Sequence, residues 1–347
     1  MDPLDAEKLR ALRDEYWHPI CHRSEIGQPG DFVRLSWLGD DVVAYNDAGN
    51  ILVFDNVCPH RGARFLTEEA GNAPLVCRYH GWSYRNGAVR VARKEDFAPC
   101  DIENVDIGRL QLAWCGDFLF AAVRPRAELR AQLAGVFDIL ASTSATISAR
   151  FDLNAYPYEC DWRTAVENAL EPYHIGMIHP ETLSSMRLDA GRNDFFATTS
   201  IWYAKVQDAR TERLLKGMKR FFDQEHQFDG YMSIYLFPFS MLSSTYGFSH
   251  SLQNFFPGDK PRVTSFCSRL LVSRRREGVA ADALQAFFES TATFNRKVFE
   301  EDHQVCKRVY PRIWEAGRPM PLSRAEEKVA HFRGLLRDHI RNTTRNA

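Results

Sequence analysis

Four residues suggest chemistry before anything else in the chain. Cys58-Pro59-His60-Arg61-Gly62 and Cys77-Arg78-Tyr79-His80-Gly81-Trp82 each pair one cysteine with one histidine, as C-x-H and C-x-x-H. Sixteen residues, 61 to 76, lie between the halves. Two thiolates and two imidazoles can close a tetrahedral zinc site. They can also hold a [2Fe–2S] cluster, with both thiolates on one iron and both imidazoles on the other. The pattern favours the second. Zinc fingers of this ligand type usually place both cysteines before both histidines with a helix between, whereas here the two types alternate on two loops.

A second set of residues suits a lone ferrous ion. Non-haem iron that activates O₂ is usually held by two histidines and one carboxylate, with open positions left over. His174 and His179 supply the pair. Five residues at ~100° each put them about 140° apart on a regular helix, so the helix should widen or break between them. Gly176 and Pro180 make a break the expectation. The carboxylate follows from a helix predicted near 280–316. Its apolar steps 294, 298, 305 and 309 form one stripe, and Asp302 falls on that stripe while Glu300 and Glu301 fall off it. A carboxylate facing a core is costly unless it is paired or binds a metal.

The elements that must position these residues fall into two styles. From about Phe32 to Val123 the pattern is short strands and turns, with Asn86-Gly87 marking a hairpin. Beyond Arg124-Pro125-Arg126 long strands mix with long helices, near 161–178, 208–224, 280–316 and 323–341, which suggests α+β with a mostly antiparallel sheet. An opening helix is expected, capped by Asp2 with Pro3 at its first position and Leu4, Leu9, Leu12 and Tyr16 on its apolar face. The organisation expected is an N-terminal helix over 1–16 packing on the catalytic domain, a small β domain over 17–124 and a catalytic domain over 125–347.

Composition limits the alternatives. The 347 residues are 45% hydrophobic and 26% charged, ample for a sizeable core. Lys+Arg at 44 against Asp+Glu at 45 argues against binding nucleic acid or an anionic membrane through bulk charge. No apolar run approaches a membrane span and no signal-like stretch opens the chain, so a reducing cytoplasm is the expectation. There the remaining cysteines, 21, 100, 115, 160, 267 and 306, read as ordinary thiols. No G-x-G-x-x-G or phosphate-binding loop occurs, so nothing points to a nicotinamide, flavin or nucleotide site.

At these residues the chain resembles the Rieske non-haem iron oxygenases, terminal oxygenase α subunits. CPHRG and CRYHGW look like that family's two cluster boxes. Respiratory Rieske proteins match less well, since they carry an extra cysteine in each box. Asn168, Glu171, His174 and His179 match the family's N-x-x-[D/E]-x-x-H-x₄-H, and Glu301-Asp302 matches its late E-D. The resemblance implies a Rieske [2Fe–2S] domain, with Cys58, His60, Cys77 and His80 on the cluster, joined to a helix-grip domain. It implies mononuclear Fe(II) on His174, His179 and Asp302, and Asn168 near the iron. Glu171 would be the acid linking His174 to His80 of a neighbouring subunit. It implies a homotrimer that receives electrons from a separate NAD(P)H-dependent reductase, with or without a ferredoxin, and hydroxylates or oxidatively demethylates a small, aromatic substrate with O₂. Most of the family has Asp where this chain has Glu171. Glu is similar to the subgroup acting on carnitine or choline, which makes a quaternary-ammonium substrate the alternative. Monooxygenation is expected over ring dihydroxylation. Tyr203, Phe237 and Tyr246, on predicted strands, are the expected pocket aromatics. An electron-transfer protein without the lone iron, and a zinc-stabilised binding protein, are the rival classes.

Overall fold

The computed structural model describes residues 5–37, 40–223, 228–280, 282–310, 312–315 and 320–346. Asp2, Pro3 and Leu4 lie outside them. The first helix, α1 (Ala6–Asp14), is capped by Asp5, whose side chain accepts from the Lys8 N–H.

The N-terminal half builds three small antiparallel sheets. Strands β1 (His18–His22), β2 (Asp31–Trp37), β3 (Asp40–Asp47), β4 (Asn50–Asp55), β5 (Ala70–Asn72), β6 (Ser83–Arg85) and β7 (Ala88–Arg90) precede a single-turn helix, α2 (Pro99–Ile102). Strands β8 (Gln111–Cys115) and β9 (Phe118–Ala122) follow. The sheet orders are β4-β3-β2-β5, β6-β7 and β1-β9-β8. Asn86 and Gly87 both take positive φ, 51° and 78°, the two-residue turn that matches strand twist. Phe32, Val43, Leu52, Phe54, Leu75, Trp82 and Tyr84 close a separate core here.

The second half begins with α3 (Leu129–Gln132) and α4 (Phe137–Thr146), then β10 (Ile147–Tyr158), α5 (Trp162–Leu170) and α6 (Ile175–Ile178). Next come β11 (Arg192–Phe195), β12 (Thr199–Ala204), α7 (Ala209–Lys219), β13 (Tyr231–Leu236), β14 (Ser240–Thr245), β15 (Ser249–Pro257) and β16 (Thr264–Ser273). Helices α8 (Asp282–Cys306) and α9 (Glu327–Asn346) end the chain. The seven strands form one antiparallel sheet in the order β10-β16-β15-β14-β13-β12-β11. Period-2 alternation divides its residues between two faces. Ile201, Met232, Ile234, Leu236, Leu242 and Leu252 pack on one side with Leu129 of α3, Leu133 just after it and Leu140 of α4. The other side faces α5, α8 and α9. This is the α+β, helix-on-antiparallel-sheet architecture expected, joined to the small β domain.

The two halves share buried polar contacts. Asn254 donates to the Pro19 carbonyl at 3.2 Å, and the wholly buried Arg269 donates to the Ile20 carbonyl and to Asn254. Helix α1 lies on α9, where His339 Nε2 meets the Lys8 carbonyl at 3.1 Å. Among the described residues no helix is long and apolar enough to cross a membrane.

Candidate metal centres

The two Cys–His loops close in the same way. Gly62 N–H donates to the Cys58 carbonyl and Gly81 N–H to the Cys77 carbonyl, both at 2.9 Å. Cys58 N–H reaches Ala63 O and Cys77 N–H reaches Trp82 O, both at 2.7 Å. Each glycine sits four residues after its cysteine with φ near the left-handed region, 73° and 76°, which side chains resist. Two equivalent turns therefore present two buried thiols side by side. Burial pushes the Cys58 thiol up, and the neighbouring Cys77 adds to it. His60 lies flat on Trp82, with ring centroids 4.8 Å apart, and against His80 at 4.6 Å. Its Nδ1 is buried without a hydrogen-bond partner, while His80 is exposed. Two facing thiols and an orphaned imidazole nitrogen fit the donor set of a mixed-ligand [2Fe–2S] cluster.

In the second domain α5, capped by Asp161, runs only to Leu170. Glu171 is extended, with φ −123° and ψ 145°, and Pro172 follows. The single turn α6 then separates His174 from His179. The break expected between the histidines falls ahead of both, because Pro172 cannot continue α5. Convergence comes instead from His179 leaving the helix at its C-cap, φ −117° and ψ 45°, which brings the rings to 5.2 Å.

Helix α8 supplies the carboxylate from the opposite side. Phe294, Val298 and Asp302 face the cavity as the stripe predicts, but the helix ends at Cys306 and Val309 lies beyond it, exposed. One donor atom each from His174, His179 and Asp302 falls within a 4.8 Å span. Asp302 Oδ1 lies 3.6 Å from His174 Nε2 and 3.1 Å from His179 Nε2. Both imidazoles are turned by glutamates. Glu171 Oε1 meets His174 Nδ1 at 2.6 Å and Glu301 Oε2 meets His179 Nδ1 at 2.7 Å. Thr182 donates to the same Glu301 oxygen at 2.6 Å, and Asn168 donates to Asp302 Oδ1 at 2.7 Å. Holding each Nδ1 leaves each Nε2 as the donor, the usual way outer carboxylates fix metal-binding histidines. Burial alone would depress His179, but Asp302 and Glu301 outweigh it and hold its pKa above the ordinary value.

These groups open into a cavity of about 320 Å³ between the sheet, α5, α7 and α8. Its aromatic lining is Trp202, Tyr231, Phe248, Phe287, Phe294 and Phe299. The expected pocket residues Tyr203, Phe237 and Tyr246 are not in it. Tyr203 points to the opposite face of β12 from Trp202 and packs on Phe228 at 4.9 Å. Phe237 lies past the end of β13 against Tyr16, and Tyr246 is buried in the β14–β15 turn at φ 49°. Sequence reasoning placed Glu301 off the apolar stripe and gave it no role. Its place beside Asp302 in the family's E-D pair was the available signal.

A cluster-type loop pair on one domain and a two-histidine, one-carboxylate centre under the sheet of the next define an iron protein with two centres. Residues 16–101 match the Rieske [2Fe-2S] domain, and residues 146–342 match the catalytic domain of the ring-hydroxylating alpha subunit. The chain belongs to this ring-hydroxylating alpha-subunit family, and with it come a Rieske cluster and a mononuclear iron. It is 30% identical to the carnitine monooxygenase oxygenase subunit of Acinetobacter baumannii over 190 residues, 52% of this chain and 50% of that one. To the toluate 1,2-dioxygenase subunit alpha of Pseudomonas putida it is 27% identical over 214 residues, 56% and 47% of the two chains. The matched stretch thus spans about half the length of these curated relatives. The quaternary ammonium Rieske monooxygenase CntA, solved with L-carnitine, shares the fold at a TM-score of 0.73 and 22% identity, covering 96% of this chain and 91% of that one.

Proposed function

We propose that the chain is the terminal oxygenase of a multicomponent system, taking electrons from a separate reductase to oxygenate a small organic substrate. The observation that carries this reading is the convergence of His174, His179 and Asp302 on one point at the wall of a cavity large enough for such a molecule. His174, His179 and Asp302 would hold ferrous iron, and Cys58, His60, Cys77 and His80 the cluster. Together these groups supply one-electron transfer and O₂ activation. The protein's own residues do the rest. Glu171 and Glu301 fix the imidazoles, Asn168 fixes Asp302, and the aromatic walls exclude water and position the substrate.

Assembly as a head-to-tail homotrimer is part of the same reading. His80 is exposed at the tip of its loop beside Tyr79 (57% exposed), and Glu171 is followed by Tyr173 (68%) and Met177 (84%). Large side chains bare beside both the cluster loop and the lone-iron segment suit burial against a second copy, as in a closed ring. Glu171 would then link His174 to His80 of the partner subunit. A solved quaternary ammonium Rieske monooxygenase of the same fold gives insights into carnitine oxidation and inter-subunit electron transfer, which supports that arrangement here. Both substrate classes, aromatic and methylated ammonium, fit an aromatic cavity. The carnitine and glycine betaine oxygenases among the relatives, with Glu171, favour the second. The test is anaerobic reconstitution followed by iron analysis, reduced-state EPR, sedimentation, and substrate-dependent O₂ uptake with a compatible reductase. Three irons per chain, a mixed-ligand cluster signal and substrate-dependent uptake are expected. Two irons per chain, or uptake indifferent to every substrate, would end this reading.

A further inference from the structure

The sheet wall of the cavity carries a row of hydroxyls. Ser233 pairs with Ser243 across β13 and β14, and Ser243 with Ser251 across β14 and β15, so all three project from one face at one level. All three line the cavity. Ser251 meets the Ser268 hydroxyl at 2.9 Å and accepts from Gln253 at 3.3 Å. At the end of the row stands an ammonium. Lys328, in the first turn of α9 and only 2% exposed, donates to the Ser233 carbonyl at 3.1 Å and to its hydroxyl oxygen at 3.3 Å. Among the described residues it makes no ion pair with a carboxylate. Burial pulls its pKa down to about 7. A buried cation facing only neutral oxygens is costly. Ser233, for its part, donates to the Met241 thioether at 3.0 Å, and Met241 also lines the cavity. A thioether is a weak acceptor. The hydroxyl is therefore held on its oxygen side by Lys328 and is free to turn its proton to a better acceptor.

The geometry points to a subsite for an acidic group of the substrate at Ser233, with Lys328 as the positioning residue whose charge makes it one. This deepens the oxygenase reading of the cavity and rests on it. A carboxylate entering the cavity accepts from Ser233 Oγ, which gives up Met241, while Lys328 keeps its hold on Ser233 and supplies the counter-charge one hydroxyl away. No proton or electron changes hands in this step.

The test compares binding of matched probes to the iron-loaded enzyme under anaerobic conditions by calorimetry: para-toluate against its methyl ester, and L-carnitine against choline. Wild type is expected to prefer at least one acid over its carboxylate-free partner. Lys328→Met should reduce that preference on the order of 30-fold or more, the scale of truncating a buried charge contact, while the affinity for the carboxylate-free partner changes less than about threefold. Its melting temperature should hold or rise, since an unpaired buried charge is removed. Ser233→Ala, which removes the hydroxyl but leaves the Ser233 carbonyl to hold Lys328, should lose part of the same preference and serves if Lys328→Met fails to fold. Preference for the carboxylate-free member, no binding by either acid, or an unchanged preference in both variants overturns the subsite. Iron content and O₂ uptake of wild type separate the two readings. Three irons with uptake driven only by carboxylate-free compounds removes the subsite and keeps the oxygenase. Lys328-dependent acid binding without the lone iron does the reverse.

Discussion

Glu301 offers the sharpest check on the lone-iron centre, because it touches no substrate-facing atom and yet determines where His179 points. Its Oε2 holds His179 Nδ1 at 2.7 Å and takes the Thr182 hydroxyl at 2.6 Å, and His179 is fully buried. In Glu301→Ala both contacts vanish. The ring loses the partner that fixes its tautomer, and a buried Nδ1–H is left with nothing to donate to. Hydrogen bonds to a charged group contribute about 1.5–3 kcal/mol. Loss of an outer carboxylate on a metal-binding histidine typically costs 10–100-fold in metal affinity, or about 1.4–2.7 kcal/mol, so the two estimates agree. The expected result is a chain that keeps its cluster spectrum but holds the third iron about 10–100-fold more weakly in competition with a ferrous chelator. Glu301→Gln, which still accepts from Nδ1–H, should fall between. Equal iron retention in wild type and Glu301→Ala would show that His179 is not an iron ligand held by Glu301.

Loaded with iron in excess, Glu171→Gln should keep both metal centres and normal reduction of the cluster by the reductase, yet lower substrate oxidation at least about tenfold if Glu171 bridges to the partner's cluster as proposed; normal turnover in stopped-flow and product assays would refute that role. Gly62→Ala meets no neighbouring atom but must hold a φ of 73°, which should cost ~1–2 kcal/mol and speed loss of the visible cluster absorbance on warming; an unchanged bleaching rate would show the turn is not needed. Acid should destabilise the fold through two buried histidines. Burial depresses His18 to about 3 and His339 to about 4 in the folded chain, against 6.5 unfolded. The unfolded chain therefore binds more protons between these values and 6.5. Their stabilising contribution is full above about pH 6.5 and falls with pH by up to ~1.4 kcal/mol per unit for each group. Urea melts from pH 7.5 to 4.5 should show this slope, and His339→Gln should flatten it.

Much of this architecture was legible in the residue order, and the reasons are specific. The C-x-H and C-x-x-H boxes could be read because their ligand types and their glycines are contiguous, so two local turns build most of that site. Asp302 could be read because helical periodicity carries a residue's face over many turns. The break was misplaced because Gly176 and Pro180 gave local reasons for one between the histidines, whereas Pro172 already forces Glu171 out of the helix ahead of both. The cavity aromatics were the least legible. Strand alternation divides residues between two faces but does not say which face is hollow. That depends on α5 and α8 standing off one side of the sheet while α3 and α4 pack the other. Tyr203 and Trp202 are neighbours in sequence and fall on opposite sides of that choice.

The same asymmetry explains how the centre is assembled. His174 and Glu171 belong to one short stretch, so their contact forms locally once Pro172 ends α5. His179 and Asp302 come from segments more than a hundred residues apart, and nothing local brings them together. Glu301 and Asp302, adjacent on α8, solve this in one step. Asp302 faces the cavity and takes Asn168, while Glu301, one residue back and rotated by about 100°, reaches round to His179 and Thr182. A single helix turn thus grips both sides of the α5–α6 segment. Docking α8 is therefore what completes the donor set, and the metal-binding geometry should appear only when the catalytic sheet and this helix are packed together.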